Sequence, residues 1–309
     1  MSDTAEKSVT IVLSTFNGEA YLPEQLESFV QQTHEKWRLY WRDDGSRDTT
    51  VAILHDFAAR QPAGRVRDFC DDQGQLGISA SFLKLLQAVP AEDFVAFADQ
   101  DDVWMPQKLE RGLRALSRDD ADLPALYCAR QILADEGLAP LRESQIFPEP
   151  PGFPQALTQN IATGCTVMLN PAAARLVACS LPPKSTLHDW WSYIVVTASG
   201  GRVLIDEVPV VFYRQHKGNA VGVPLSDFHR AIAALRRGPD AFMRTLRGHI
   251  DALCAQPMLV APQNRKILLQ INDGLNDGVW RRLRALRLPM LRRQNFSETQ
   301  LFRLWFLIG

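Results

Sequence analysis

Three carboxylates fall within four residues in Asp99-Gln100-Asp101-Asp102. Carboxylates this close repel one another unless a cation or ligand offsets their charge. Hard cations such as Mg2+ and Mn2+ favour oxygen ligands, and Mg2+ is commonly shared between one or two carboxylates and substrate phosphates. The chemistry on offer is a metal–diphosphate site. The plainer alternative is a solvated acidic loop, with Asp102 capping the helix that Met105-Pro106 opens. The preceding run Phe94-Val95-Ala96-Phe97-Ala98 reads as a short buried strand, so the acids stand at a strand exit.

Other polar clusters occupy equivalent places. Thr15-Phe16-Asn17-Gly18-Glu19 follows the β-branched run 9–14, Asp43-Asp44-Gly45-Ser46 follows a strand over 37–41, and Gly74-Gln75-Leu76-Gly77 follows one over 66–69. Between them, apolar spacing predicts helices over 21–32, 48–60 (capped by Asp48) and 79–88. Alternating strands and helices imply a parallel sheet with right-handed crossovers. Such sheets bind ligands beyond the carboxyl ends of their strands, where all four clusters lie.

The stretch 119–160 is less regular and reads as an excursion over the acceptor side. Residues 160–169 are strand-like, 171–178 a short helix, and 187–198 a helix that begins His188-Asp189-Trp190-Trp191. Strands follow over 202–205 and 208–213. Beyond about 226 the chain turns helical and basic. Arg281, Arg282, Arg284, Arg287, Arg292 and Arg293 fall within 279–293 with no acid and with leucines interleaved. That tail reads as an interfacial helix for an anionic membrane, a solvated face or an interdomain contact.

The chain has 309 residues and is 46% hydrophobic, enough for one large domain or a domain with an appendage. A net charge of -1 speaks against nucleic acid or another polyanion as partner. Five scattered cysteines, odd in number and without zinc spacing, suit a reducing compartment. Residues 1–7 hold no apolar signal core and no run reaches the roughly 18 apolar residues of a spanning helix. The expectation is a cytoplasmic protein that reaches the inner face of the membrane only from its surface. A homo-oligomer is compatible with this composition.

The ordered set resembles the inverting glycosyltransferases of family 2. It comprises residues 12–19, Asp43-Asp44-Gly45-Ser46-Arg47-Asp48, Gly74 to Gly77, Asp99 to Trp104, Pro106 and Lys108-Leu109. Leu187 to Trp191 and Tyr213-Arg214-Gln215-His216-Lys217-Gly218-Asn219 look like the branch often labelled rhamnosyltransferases. The chain departs from the pattern at Ile78-Ser79-Ala80-Ser81-Phe82, where many relatives carry an Asn, so that helix has no residue-level assignment.

The resemblance implies an α/β GT-A fold, Rossmann-like, with a mostly parallel sheet flanked by helices. It places a catalytic domain over 1–225 and a helical extension over 226–309. It implies a dTDP- or UDP-linked sugar donor, Mg2+ or Mn2+, and a glycan or lipid-linked acceptor. By the same resemblance Thr15, Asn17 and Glu19 line the nucleotide, and Asp43 or Asp44, with Asp44 preferred, accepts from the base. Asp99 lies near the ribose or a metal-bound water, and Asp101 holds the metal. Asp189 is the general base, which takes the acceptor proton as the sugar carbon gains oxocarbenium character. His216 ligates the metal or, with Arg214 and Lys217, meets the diphosphate, in a loop shaped by Asn219 and Gly222. Trp104, Trp190 and Trp191 are assigned to sugar faces.

Two rival classes remain. A sugar nucleotidyltransferase would carry a Gly-rich basic loop after the first strand, which residues 15–19 lack. A non-catalytic sugar-binding protein has no use for an intact Asp101 and Asp189.

Overall fold

The structure is a computed structural model. It describes residues 4–71, 74–118, 121–147, 151–184, 186–216, 218 and 227–309, without the side chains of 227–237. Lys217, Asn219 and Gly222 lie outside the described residues.

The N-terminal half alternates as the sequence predicts: β1 (Val9–Thr15), α1 (Leu22–Val30), β2 (Trp37–Asp43), α2 (Thr50–Ala59), β3 (Val66–Asp68), α3 (Ile78–Ala88) and β4 (Phe94–Ala98). β1 pairs in parallel with β2 and with β4, and β2 with β3. β4 is buried at every position, as an unbroken apolar run in a parallel sheet covered on both faces should be. The clusters at Thr15, Asp43 and Asp99 therefore emerge side by side at one edge.

The second half differs from the expectation of a mostly parallel sheet. It contains β5 (Val103–Trp104), α4 (Lys108–Leu116), β6 (Ala125–Ala134), β7 (Pro140–Glu143), β8 (Met168–Leu169), α5 (Pro171–Ala178), α6 (His188–Ala198) and β9 (Arg202–Arg214). Among the described residues, nine strands form one mixed sheet, ordered β3-β2-β1-β4-β8-β6-β9-β5 with β7 beside β6. β8 runs antiparallel to both β4 and β6, and β6 runs parallel to β9. β6 lies inside the stretch read as irregular, where the loops around it mask its apolar run Ala125-Leu126-Tyr127-Cys128. The two strands expected over 202–213 are one, with its register against β6 shifting near Arg130.

Side-chain alternation divides the core between the two sheet faces. Ile11, Leu13, Leu39 and Ala96 pack under α1, α2 and α4, which present Leu26, Leu54 and Leu113. Val12, Tyr40, Val95 and Phe97 pack on the other face against Phe82 of α3 and Ile194 of α6.

The chain closes with α7 (Asp227–Ala255, kinked at Gly238 before Pro239), α8 (Pro262–Asn276), α9 (Val279–Ala285) and α10 (Phe296–Ile308). Ile250, Leu268, Phe302 and Phe306 belong to the same buried cluster as Leu126 and Trp191. Asn264 Nδ2 donates to the carbonyls of Thr197 and Ala198 at 3.0 Å each, tying α8 to the end of α6. Residues from Phe242 onward thus share the core of the sheet domain. Among the described residues, no helix is long and apolar enough to cross a membrane.

Candidate active site

The loop after β1 and the loop after β2 hold each other. Asn17 adopts a positive φ of 48°, a conformation that asparagine tolerates better than most residues. Its N–H donates to Ser46 Oγ at 2.8 Å, and its Oδ1 accepts from Arg47 N at 2.9 Å. Thr15 Oγ1 donates to Asp43 Oδ1 at 2.9 Å. Glu19 Oε2 accepts from Thr49 N and Oγ1 at the start of α2, while Asp48 accepts from Glu19 N and Thr50 N. Asp48 thus secures the helix start, although the side chain of the N-cap residue Thr49 makes no capping bond of its own.

The two aspartates after β2 divide into structural tasks. Asp43 Oδ2 accepts from Gly45 N and Ser46 N at 3.0 and 2.7 Å, which makes the turn. Asp44 is buried, and its oxygens accept from Arg42 Nη1, Leu76 N, Gly77 N and Ser81 Oγ. Burial alone would raise its pKa, but the bonds from Leu76, Arg42 and Gly77 outweigh that and hold it low. The preference for Asp44 as the base-binding acid is corrected: this carboxylate is committed to Arg42 and to the Gly74–Gly77 loop. Asp43 is the more open of the pair.

The acidic loop lies at the centre. Gln100 pairs with Phe16 as a strand would, Oε1 accepting from its N–H at 2.8 Å and Nε2 donating to its carbonyl at 3.0 Å. Gln25 Nε2 donates to the Asp99 carbonyl at 2.8 Å. Asp101 Oδ2 lies 2.7 Å from His216 Nε2. The other ring nitrogen accepts from Gly218 N at 3.1 Å, which makes Nε2 the protonated donor to Asp101. The structure therefore joins the acidic loop to the end of β9 through the two residues predicted as metal ligands.

Asp102 is not a helix cap. It is buried, and its Oδ1 accepts from Arg214 N at 3.2 Å. Burial and the charges of Asp99 and Asp101 push its carboxyl well above the usual range. Burial, then Asp101 and Asp189, push Asp99 up to about 7. Asp99, Asp102 and Cys165 bring one ligand atom each within 4.8 Å of one another. Lys108, fully buried with its amine 3.5 Å from the Trp104 ring centroid, lies beside them and interacts with Asp102 and Asp99. Burial lowers its pKa to about 7. A thiol also suits Mg2+ or Mn2+ poorly. The Asp101–His216 side, with oxygen and nitrogen donors facing an excess of acid, fits such a cation better.

Asp189 stands in the first turn of α6 and is 7% exposed. Its Oδ2 accepts from Gly164 N at 3.0 Å and its Oδ1 from Trp190 N. Burial raises its carboxyl to about 6, against hydrogen bonds from Trp190, Gly164 and the Asn160 side chain. Its charge is felt at Asp99, which places the predicted base beside the acidic loop.

Two of the three tryptophans expected at sugar faces are core residues. Trp104 is buried edge-on against Phe29, at 4.6 Å between ring centroids. Trp191 is buried and donates to Ser180 Oγ at 2.7 Å. Both positions follow from the pleat and the helical turn, which aim them into opposite core faces. Trp190 is half-buried, its Nε1 donating to the Ala156 carbonyl at 2.7 Å.

The structure adds groups that the sequence reading passed over or misplaced. Arg214, expected at the diphosphate, is 2% exposed; its Nε donates to the Asp101 carbonyl at 3.0 Å and its Nη atoms to the Glu136 carbonyl and Glu24. It braces the acidic loop from behind, and its place as the last residue of a strand was the available signal. Lys108 was visible as part of a motif, but its burial was not. His188 stacks on Phe82 at 3.7 Å between ring centroids, and burial lowers its pKa to about 3.

Residues 10–172, just over half of the chain, match the sequence profile described as Glycosyl transferase family 2. The chain belongs to that family. It is a glycosyltransferase of the GT-A fold. It is 26% identical over 226 residues to a protein of Shigella flexneri named dTDP-rhamnosyl transferase RfbG, covering 69% of this chain and 75% of that one. It spans only 30% and 34% of two further relatives, from Bacillus subtilis and Nostoc. Among solved structures it resembles Staphylococcus aureus TarS 1-349 in complex with UDP, with a TM-score of 0.55 and 16% identity over 79% of this chain and 65% of that one. It also resembles a Pyrobaculum calidifontis mannosyltransferase in complex with GDP-Man and Mn2+, with a TM-score of 0.50 and 16% identity over 98% of this chain and 89% of that one. Identities this low support a common fold.

Proposed function

We propose that this family 2 enzyme transfers a sugar, L-rhamnose first among the candidates, from a dTDP- or UDP-linked donor to a glycan or lipid-linked acceptor. The setting is bacterial surface polysaccharide assembly, and transfer proceeds by a single displacement with inversion. The observation that carries this reading is the meeting of Asp101, after β4, with His216, after β9, with Asp189 near enough for its charge to act on Asp99. The name of the Shigella relative supports the choice of sugar.

Asp101 and His216 would hold Mg2+ or Mn2+, His216 in the neutral tautomer that presents an unprotonated Nε2 to the ion. The bound cation supplies charge stabilisation to the departing diphosphate. Asp99 would meet the ribose, and the loop of Thr15, Asn17 and Glu19 the nucleotide, with the more open Asp43 accepting from the base. Asp189, raised toward neutrality yet held ionised by its hydrogen bonds, accepts the proton of the acceptor hydroxyl at a carboxylate oxygen. Trp190 is placed beside the acceptor. Arg214 and Gln100 keep the acidic loop in register with β9 and β1.

The test is a panel of dTDP-, UDP- and GDP-sugars incubated with Mn2+ and scored for nucleoside diphosphate release. Release from dTDP- or UDP-sugars, with dTDP-L-rhamnose preferred, supports the reading. Release from GDP-sugars alone, or from none, contradicts it.

A further inference from the structure

Residues 279–287 set apolar and basic side chains on one outward face. The inward positions of α9 are taken: Ala285 is fully buried, and Arg282 donates from Nη1 to the carbonyls of Phe306 and Leu307 at 3.3 and 2.9 Å, capping the end of α10. Leu286 packs on the core as well, and Val279, Trp280, Leu283, Arg284 and Arg287 point out. Val279 and Leu283 are one turn apart, as are Trp280 and Arg284, and Arg287 follows one turn after Leu283. Trp280 is 81% exposed. On the neighbouring α10, Leu304 and Ile308 are also exposed, again one turn apart.

The charge on this face is one-sided. Arg281 pairs with Asp273 in the last turn of α8 and with Asp277 just after it. Arg284 and Arg287 are exposed and make no ion pair among the described residues. No acid occurs from Val279 to Gln294, although the whole chain is near neutral.

We propose that this face rests on an anionic lipid surface, with Trp280, Val279 and Leu283 at the headgroup boundary and Arg284 and Arg287 against lipid phosphates. Charge complementarity selects this occupant. A two-fold contact with a second copy would set the same arginines against each other. The face is also tied to the site. Just beyond it, Arg292 O accepts from Thr158 Oγ1 at 2.7 Å, and Gln294 N donates to Gln159 Oε1 at 2.9 Å. The next residue is Asn160, whose side chain helps hold down the pKa of Asp189. A lipid-linked acceptor held in that surface would thus enter beside the proposed base, a step that rests on the function proposed above.

The experiment is co-sedimentation of the full chain with phosphatidylglycerol–phosphatidylcholine vesicles and with phosphatidylcholine alone, at low and high salt. Binding to the anionic vesicles is expected, with release as salt rises. Arg284→Gln with Arg287→Gln should weaken it about 30-fold, two arginines at roughly 1 kcal/mol each. Trp280→Ala should also weaken it, while metal-dependent donor hydrolysis in vesicle-free solution stays unchanged in both variants. Three results would overturn the proposal: no binding at low salt, equal binding to phosphatidylcholine, or variants that bind as the parent does. A dimer that Trp280→Ala dissolves would also overturn it. Donor hydrolysis retained in any of these cases leaves the transferase assignment standing, so the two failures are distinguishable.

Discussion

Asp189 works as a base only while ionised, and burial has raised its carboxyl to about 6. The basic form therefore grows in as pH rises, and kcat/KM for transfer should climb through about pH 6 and then level. The Asn160 side chain bonds the ionised form and lowers that pKa. Asn160→Ala should move the acid limb to higher pH, as read from the pH profile; an unmoved limb would remove Asn160 from this role. Asp189→Asn should cost ~10²–10⁴-fold in transfer, the usual scale for losing a general base, with nucleotide affinity nearly unchanged. Loss of nucleotide binding in the same variant would make Asp189 structural. At this scale motif spacing singled out Asp101 and His216, and the structure sets the two in contact. The sequence reading misplaced Asp44, Trp104 and Trp191 because burial is decided by neighbours distant in sequence.

The elements around the site are set by paired loops. Asp44 and Arg42 are both buried and 2.6 Å apart, and together they hold Leu76, Gly77 and Gly74 in place. Removing one partner of such a pair leaves an uncompensated charge, so Asp44→Ala should cost about 3–5 kcal/mol in urea unfolding. Because its folded pKa is lowered, this contribution is complete above the ordinary carboxylate pKa and is lost as pH falls through the lower, folded value. A loss under about 1 kcal/mol would show that the loop holds itself. The β1 to β4 half was legible because strand, exit cluster and helix recur within short segments. β6 was not, since its pairing with β8 joins residues more than 40 apart, and of the strand read over 160–169 only the two residues of β8 form. No local pattern specifies an antiparallel insertion of that kind.

At the scale of the whole molecule, the tail that the sequence set apart is joined to the sheet domain by one core. Phe302 is fully buried beside Phe242, and Trp305 packs on the same ring. Phe302→Ala should destabilise the entire chain by about 3–5 kcal/mol in a single cooperative transition. A separate early transition would instead mark 226–309 as an independent unit. The site at the strand edge and the basic, apolar face of α9 are then parts of one body, linked through residues 158–160. The central claim is that Asp101 anchors a divalent cation for the departing diphosphate. Its most direct test is nucleoside diphosphate release from the preferred donor, titrated with Mn2+ for the parent and for Asp101→Asn. The account predicts release that vanishes with chelator, returns with Mn2+, and falls on the order of 10²-fold or more in the variant. Metal-independent release, or a variant that responds to limiting Mn2+ as the parent does, would contradict it.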